Sequence, residues 1–93
     1  MSPEKLAKLV AGEIAVAGGR YSSPAFLELL VSPPCVEEYS SENGVPWPLF
    51  TVLREPLDGY CVVYDFEQDR FGLAIQGVVV SMVGGLIECL DSM

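Results

Sequence analysis

The stretch YCVVYDFEQDRFGLAI, residues 60–75, decides the fold. Residues 60–65 and 71–75 are rich in aromatic, aliphatic and β-branched side chains. The segment between them, Phe66-Glu67-Gln68-Asp69-Arg70, carries turn chemistry, so the pattern predicts two antiparallel strands. In the second strand Phe71, Leu73 and Ile75 share one face and Gly72, Ala74 and Gln76 the other. The period of two predicts that the bulkier set faces helices. In the first strand Tyr60, Val62 and Tyr64 oppose Cys61, Val63 and Asp65, so both faces are substantially apolar. Any part that helices leave uncovered offers a surface for a second subunit, a partner protein or a flat ligand.

Working outward, residues 49–53 predict another strand, joined to residues 60–65 through Glu55-Pro56-Leu57-Asp58-Gly59. Residues 78–83 are apolar at nearly every position, which suits a strand covered on both faces. Gly84-Gly85 then breaks the chain, and residues 86–92 predict a closing helical turn with Leu86, Cys89 and Leu90 inward. At the other end Ser2-Pro3 opens a helix over residues 3–17, with Glu4 at the positive end of its dipole and Gly18-Gly19 as its stop. Its apolar arc is Leu6, Leu9, Val10, Ile14 and Ala17. Ser23-Pro24 repeats the opening for a second helix over residues 24–31, apolar on nearly every side except Glu28 and therefore expected to be buried or in an interface. Pro33-Pro34 ends it. Residues 32–48 shift to Pro, Ser, Glu, Asn and Gly and read as a loop, with Asn43-Gly44 as a turn signal and a short extended piece near residues 36–39.

The fold class expected is therefore α+β. Two N-terminal helices and a short C-terminal helix pack on a three- to four-stranded antiparallel meander in a single domain, residues 1–93. Its parts are a helical region (3–31), a Pro/Ser/Glu-rich loop (32–48), and the sheet with its closing helix (49–93).

Charge limits function more than any motif does. The chain has 13 Asp and Glu against 5 Lys and Arg, a net charge of −8, and no histidine. Without basic clusters it lacks the counterion release that drives binding to nucleic acid, and an anionic membrane surface is disfavoured on the same ground. A basic protein partner would be steered toward it, with an on-rate that falls as salt rises; the plainer role of the charge is solubility. Apolar residues make up 51% of a 93-residue chain, more than one thin core readily absorbs, which favours a homodimer. No signal peptide is visible, and Cys35, Cys61 and Cys89 form neither a disulfide framework nor a zinc pattern, so a cytoplasmic location is expected. Residues 71–87 carry no charge and approach the length of a short membrane span, but glycines, Gln76 and Ser81 interrupt them.

Few residues point to chemistry. Asp65, Glu67 and Asp69 alternate like half of a calcium loop, yet Arg70 stands where glycine is needed and Gln76 where the bidentate glutamate belongs; a solvated turn is expected, with no metal and no cofactor. Glu13 projects into the apolar arc of the first helix and needs a partner, which Arg20, Arg54, Arg70 or water can supply. The alternative is a ligand-facing acid in a helix–sheet pocket with Tyr60 or Tyr64. A Cys-His dyad is impossible, Cys61 and Cys89 read as small core residues, and Cys35 reads as the accessible thiol. Trp47, stiffened by Pro46 and Pro48, is either a plug of the core or an aromatic anchor for a partner.

The function expected is an acidic, non-enzymatic interaction module, of the inhibitor, immunity-protein or antitoxin kind. Glu37, Glu38, Glu42 and Trp47 would contact a basic partner, and Asp65, Glu67 and Asp69 would form a second acidic edge. A small-molecule-binding or enzymatic domain around Glu13, and a structural subunit of an assembly, are the alternatives.

Overall fold

The computed structural model describes residues 1–92, apart from the side chain of Arg20. Ser2 caps helix α1 (Pro3–Ala17) by accepting the Lys5 N–H at 3.2 Å, and Gly18 ends it at φ 76°. Leu6, Val10 and Ile14 are buried, whereas Leu9 is 38% exposed. The buried stripe is thus a narrow line at i, i+4 and i+8, and Glu13 lies on its flank, half-buried.

The second helix is much shorter than its composition predicts. After a 3-10 turn (Gly18–Tyr21), Ser23 accepts the Phe26 N–H at 3.2 Å and opens α2, but α2 is the single turn Pro24–Leu27 and none of its residues is buried. By Leu29 the chain has joined the sheet, its carbonyl accepting the Arg54 N–H at 3.0 Å. Strand β1 (Leu30–Ser40) then runs through most of the segment expected to be a loop.

The remaining elements are β2 (Pro46–Arg54), β3 (Tyr60–Asp65), β4 (Arg70–Ile75), β5 (Val78–Gly84) and α3 (Leu86–Asp91). The α+β class holds, but the sheet has five strands, because β1 supplies one more than the sequence disclosed. Each strand is antiparallel to the next. In an up-and-down order of five, the first and last strands necessarily run the same way, and β1 meets β5 in parallel at Ser40 and Val78 to close a barrel. Ser40 donates its N–H to the Gly77 carbonyl at 2.8 Å at that seam.

Two cores sit on opposite faces of the wall. The larger lies under the helices and joins Leu6, Val10 and Ile14 of α1 and Leu86, Cys89 and Leu90 of α3 to Phe50, Val52, Val62, Tyr64 and Phe71 of the strands. The smaller contains strand residues only, one per strand: Tyr39, Leu49, Val63, Ala74 and Val79. Leu49, Val63 and Ala74 have no exposed surface although no helix covers them, so the barrel itself encloses them. Gly72 allows the wall to close on that side, since a Cβ there would press on the Met82 sulfur and stand 2.6 Å from the Ser81 carbonyl oxygen.

The residue faces predicted for β4 are observed at Phe71, Leu73 and Ala74, while Ile75, at the strand end, is 44% exposed. Strand β5 is not covered on both faces, for Val78 and Val80 are exposed and Val79 is buried. No helix among the described residues is long and apolar enough to cross a membrane; residues 71–87 belong to β4, β5 and the start of α3.

Candidate functional site

The β1–β2 hairpin gathers most of the residues expected to contact a partner. Its ladder pairs Glu37 with Leu49, Glu38 with Pro48, Tyr39 with Trp47 and Ser40 with Pro46. Its turn is held by Ser41, whose hydroxyl accepts the Val45 N–H at 3.1 Å and whose carbonyl accepts the Gly44 N–H at 2.9 Å; Gly44 takes φ 81°. Glu38, Glu42 and Val45 are exposed around this tip. Trp47 is half-buried and packs against the smaller core, so its ring plugs the barrel while part of it stays accessible.

Glu37 lies on the opposite face of β1 from Glu38, the face it shares with Tyr39. Its Oε1 accepts hydrogen bonds from Thr51 Oγ1 and from Arg54 Nη2, the latter an ion pair. Thr51 has one proton and gives it to Glu37, so the Tyr39 hydroxyl must donate to Thr51. The chain of donors thus runs from Tyr39 through Thr51 to Glu37. Burial raises the Tyr39 pKa, and the phenol stays protonated as the donor to Thr51. Glu37 in turn holds the Arg54 pKa above its ordinary value. Cys61, half-buried, packs against the smaller core and pairs with Arg54 in the β2–β3 ladder, and Cys35, exposed, pairs with Thr51. The cluster ties β1, β2 and β3 together at the barrel wall.

The second acidic segment is largely occupied in shaping its own turn. Asp65 is buried and accepts the N–H groups of Glu67 at 2.9 Å and Gln68 at 3.4 Å, and Asp69, at φ 55°, accepts the Tyr64 hydroxyl. Burial, then the Asp69 hydrogen bond, pushes Tyr64 up to about 12. Glu67 and Asp69 remain exposed. The hairpin tip adjoins Gly77 at one end of β4, whereas this turn lies at its other end, on the order of 20 Å away for a six-residue strand. The two acidic segments are therefore separate surfaces. No group of three His, Cys, Asp or Glu among the described residues is placed to hold a metal ion.

Glu13, Tyr60 and Tyr64 are not gathered into one cavity. Glu13 lines a shallow depression on α1 with Lys8, Leu9, Gly12 and Val16. Tyr60 borders a cleft with Leu73, Ile75, Val80 and Ser92, and Tyr64 is in the larger core. Of the arginines considered for Glu13, Arg54 engages Glu37 and Arg70 donates to Gln68, while the side chain of Arg20 lies outside the described residues. Sequence reasoning missed the Tyr39–Thr51–Glu37 chain. Its signal was Thr51, a hydroxyl in the middle of the apolar run Leu49-Phe50-Thr51-Val52-Leu53, which must find a partner when buried.

Comparison with protein-family models, curated proteins and solved structures gives no match for this chain.

Proposed function

We propose that the protein is a small cytoplasmic interaction module without catalytic activity, which docks a basic protein partner through the tip of its β1–β2 hairpin. One observation carries this reading: Glu38 and Glu42 stand exposed beside Val45 and the accessible part of Trp47, and no cation among the described residues pairs with either carboxylate. An aromatic anchor with an apolar neighbour inside an acidic rim is the arrangement that steers a basic surface and then holds it. Of the cations whose side chains are described, Lys5 and Lys8 are on α1, Arg54 is spent on Glu37 and Arg70 donates to Gln68. Glu37 acts in this reading by fixing the hairpin, and Glu67 and Asp69 form a separate acidic edge. The three free cysteines suit a reducing compartment.

The test replaces Val45 with a photo-crosslinking residue in cells and then reconstitutes the captured protein with the purified chain. Trp47, the single tryptophan, reports binding by its fluorescence. A partner of high isoelectric point is expected, with affinity falling at least tenfold between about 50 and 300 mM salt and lost in the Glu38→Lys/Glu42→Lys variant. Binding that ignores both salt and charge reversal would remove the hairpin from the interface.

A further inference from the structure

Strand β5 has an open edge. It pairs with β4 on one side, and on the other only Val78 meets β1, at Ser40. Because that pairing is parallel and joins the end of β1 to the start of β5, residues 79–84 run on past the end of β1, and most of β1 runs back from the start of β5. Two open edges result, and the sequence treats them oppositely. The β1 edge carries Pro33, Pro34, Glu37, Glu38 and a register shift between Leu30 and Cys35, all features that blunt an edge against pairing. Strand β5 reads Val78-Val79-Val80-Ser81-Met82-Val83-Gly84, with neither proline nor charge.

The surface beside that edge matches it. Val80 joins Tyr60, Leu73, Ile75 and Ser92 around an uncharged cleft of about 220 Å³. Val78, Val80 and Ile75 are 37%, 42% and 44% exposed.

We propose that a second copy of this chain docks along β5, strand against strand in antiparallel sense about a twofold axis, bringing the two clefts together. Pairing a strand with its own copy in this way is self-complementary and closes at the dimer. Charge selects the occupant. Two molecules of net charge −8 repel wherever carboxylates face each other, so they meet most readily where carboxylates are fewest, and neither residues 78–84 nor the lining of the cleft carries one. A basic partner gains no attraction there and is drawn to the hairpin instead. The proposal is independent of the hairpin reading, and its salt dependence has the opposite sign, because screening relieves the repulsion between copies.

Sedimentation velocity of the full chain, from about 5 to 500 µM at about 50 and 500 mM salt, tests it directly. The expected result is a species of twice 10.1 kDa whose population rises with both concentration and salt. The Val78→Lys/Val80→Lys variant should be monomeric with an unchanged circular dichroism spectrum, and the Glu38→Lys/Glu42→Lys variant should still dimerise. Amide hydrogen exchange of the unsubstituted chain gives a readout that needs no variant: protection of residues 79–84 should grow with concentration. A monomer at the highest concentration in high salt, or a dimer with no added protection at 79–84, would overturn the proposal.

Discussion

Thr51 is completely buried, and its hydroxyl is the middle member of a chain that begins at Tyr39 and ends at Glu37. Replacing it with valine keeps the shape, removes the only donor to Glu37 besides Arg54 among the described residues, and strips the Tyr39 hydroxyl of its acceptor. A buried hydroxyl left without its partner costs about 1–3 kcal/mol. The Arg54–Glu37 ion pair, by contrast, has side chains 51% and 41% exposed, where solvent screens most of the attraction. Such pairs contribute up to about 1 kcal/mol. Thr51→Val should therefore lower the urea midpoint more than Arg54→Ala does, even though the arginine makes the charged contact. Equal losses would mean that the hydroxyl chain adds nothing beyond the ion pair.

Among the elements, the β4–β5 hairpin shows where local sequence is decisive. Gln76 and Gly77 form a two-residue turn with φ of 51° and 85° between the paired Ile75 and Val78, and a turn with both residues at positive φ favours Asn-Gly. Glutamine has no local hydrogen bond to offset the left-handed conformation as asparagine has, so Gln76→Asn should stabilise the protein by roughly 0.5–1 kcal/mol. In a domain of this size that is a rise of roughly 2–8 °C in Tm, measurable by thermal denaturation. Strands β2, β3 and β4 were legible for the same reason: apolar, β-branched runs and turn chemistry in residues 49–75 are local properties. Strand β1 was not legible, because Pro33, Pro34, Pro46 and Pro48 read as breakers. The first two lie in the register shift of β1, and the other two lie where β2 has only β1 beside it, since pairing with β3 begins at Phe50. Whether a proline breaks a strand depends on which neighbour needs its N–H, and that neighbour is distant in sequence. The truncated α2 has a similar origin, since its apolar composition could not reveal that Leu29 already pairs with Arg54.

Across the whole molecule, the closure of the barrel joins β1 to β5, strands far apart in sequence, and the Tyr39–Thr51–Glu37 chain rests on β1, whose prolines concealed it, so only Thr51 hinted at that chain and nothing local at the groups that the barrel and helices bury. Their burial has a consequence for pH. The Cys89 thiol, buried in the larger core, is pushed from 9.0 to about 11, Tyr64 from 10.0 to about 12, and Tyr39 upward as well. In each case the folded chain keeps a proton that the unfolded chain has already released. Between the unfolded and folded values the unfolded state therefore binds fewer protons, and stability falls as pH rises. These groups add no slope below about pH 8 and a progressive loss from there to about pH 12. Self-repulsion of a chain already at −8 acts in the same direction, but salt screens it, whereas it does not restore the hydration lost on burial. Urea midpoints measured in about 0.5 M salt should thus still decline above pH 9. Cys89→Ala should start lower, by about 1 kcal/mol for the vacated volume, and lose stability more gradually between pH 9 and 11. A midpoint for the unsubstituted chain that stays level to pH 11 in that salt would show that the thiol and the two phenols ionise in the folded barrel as readily as in the open chain.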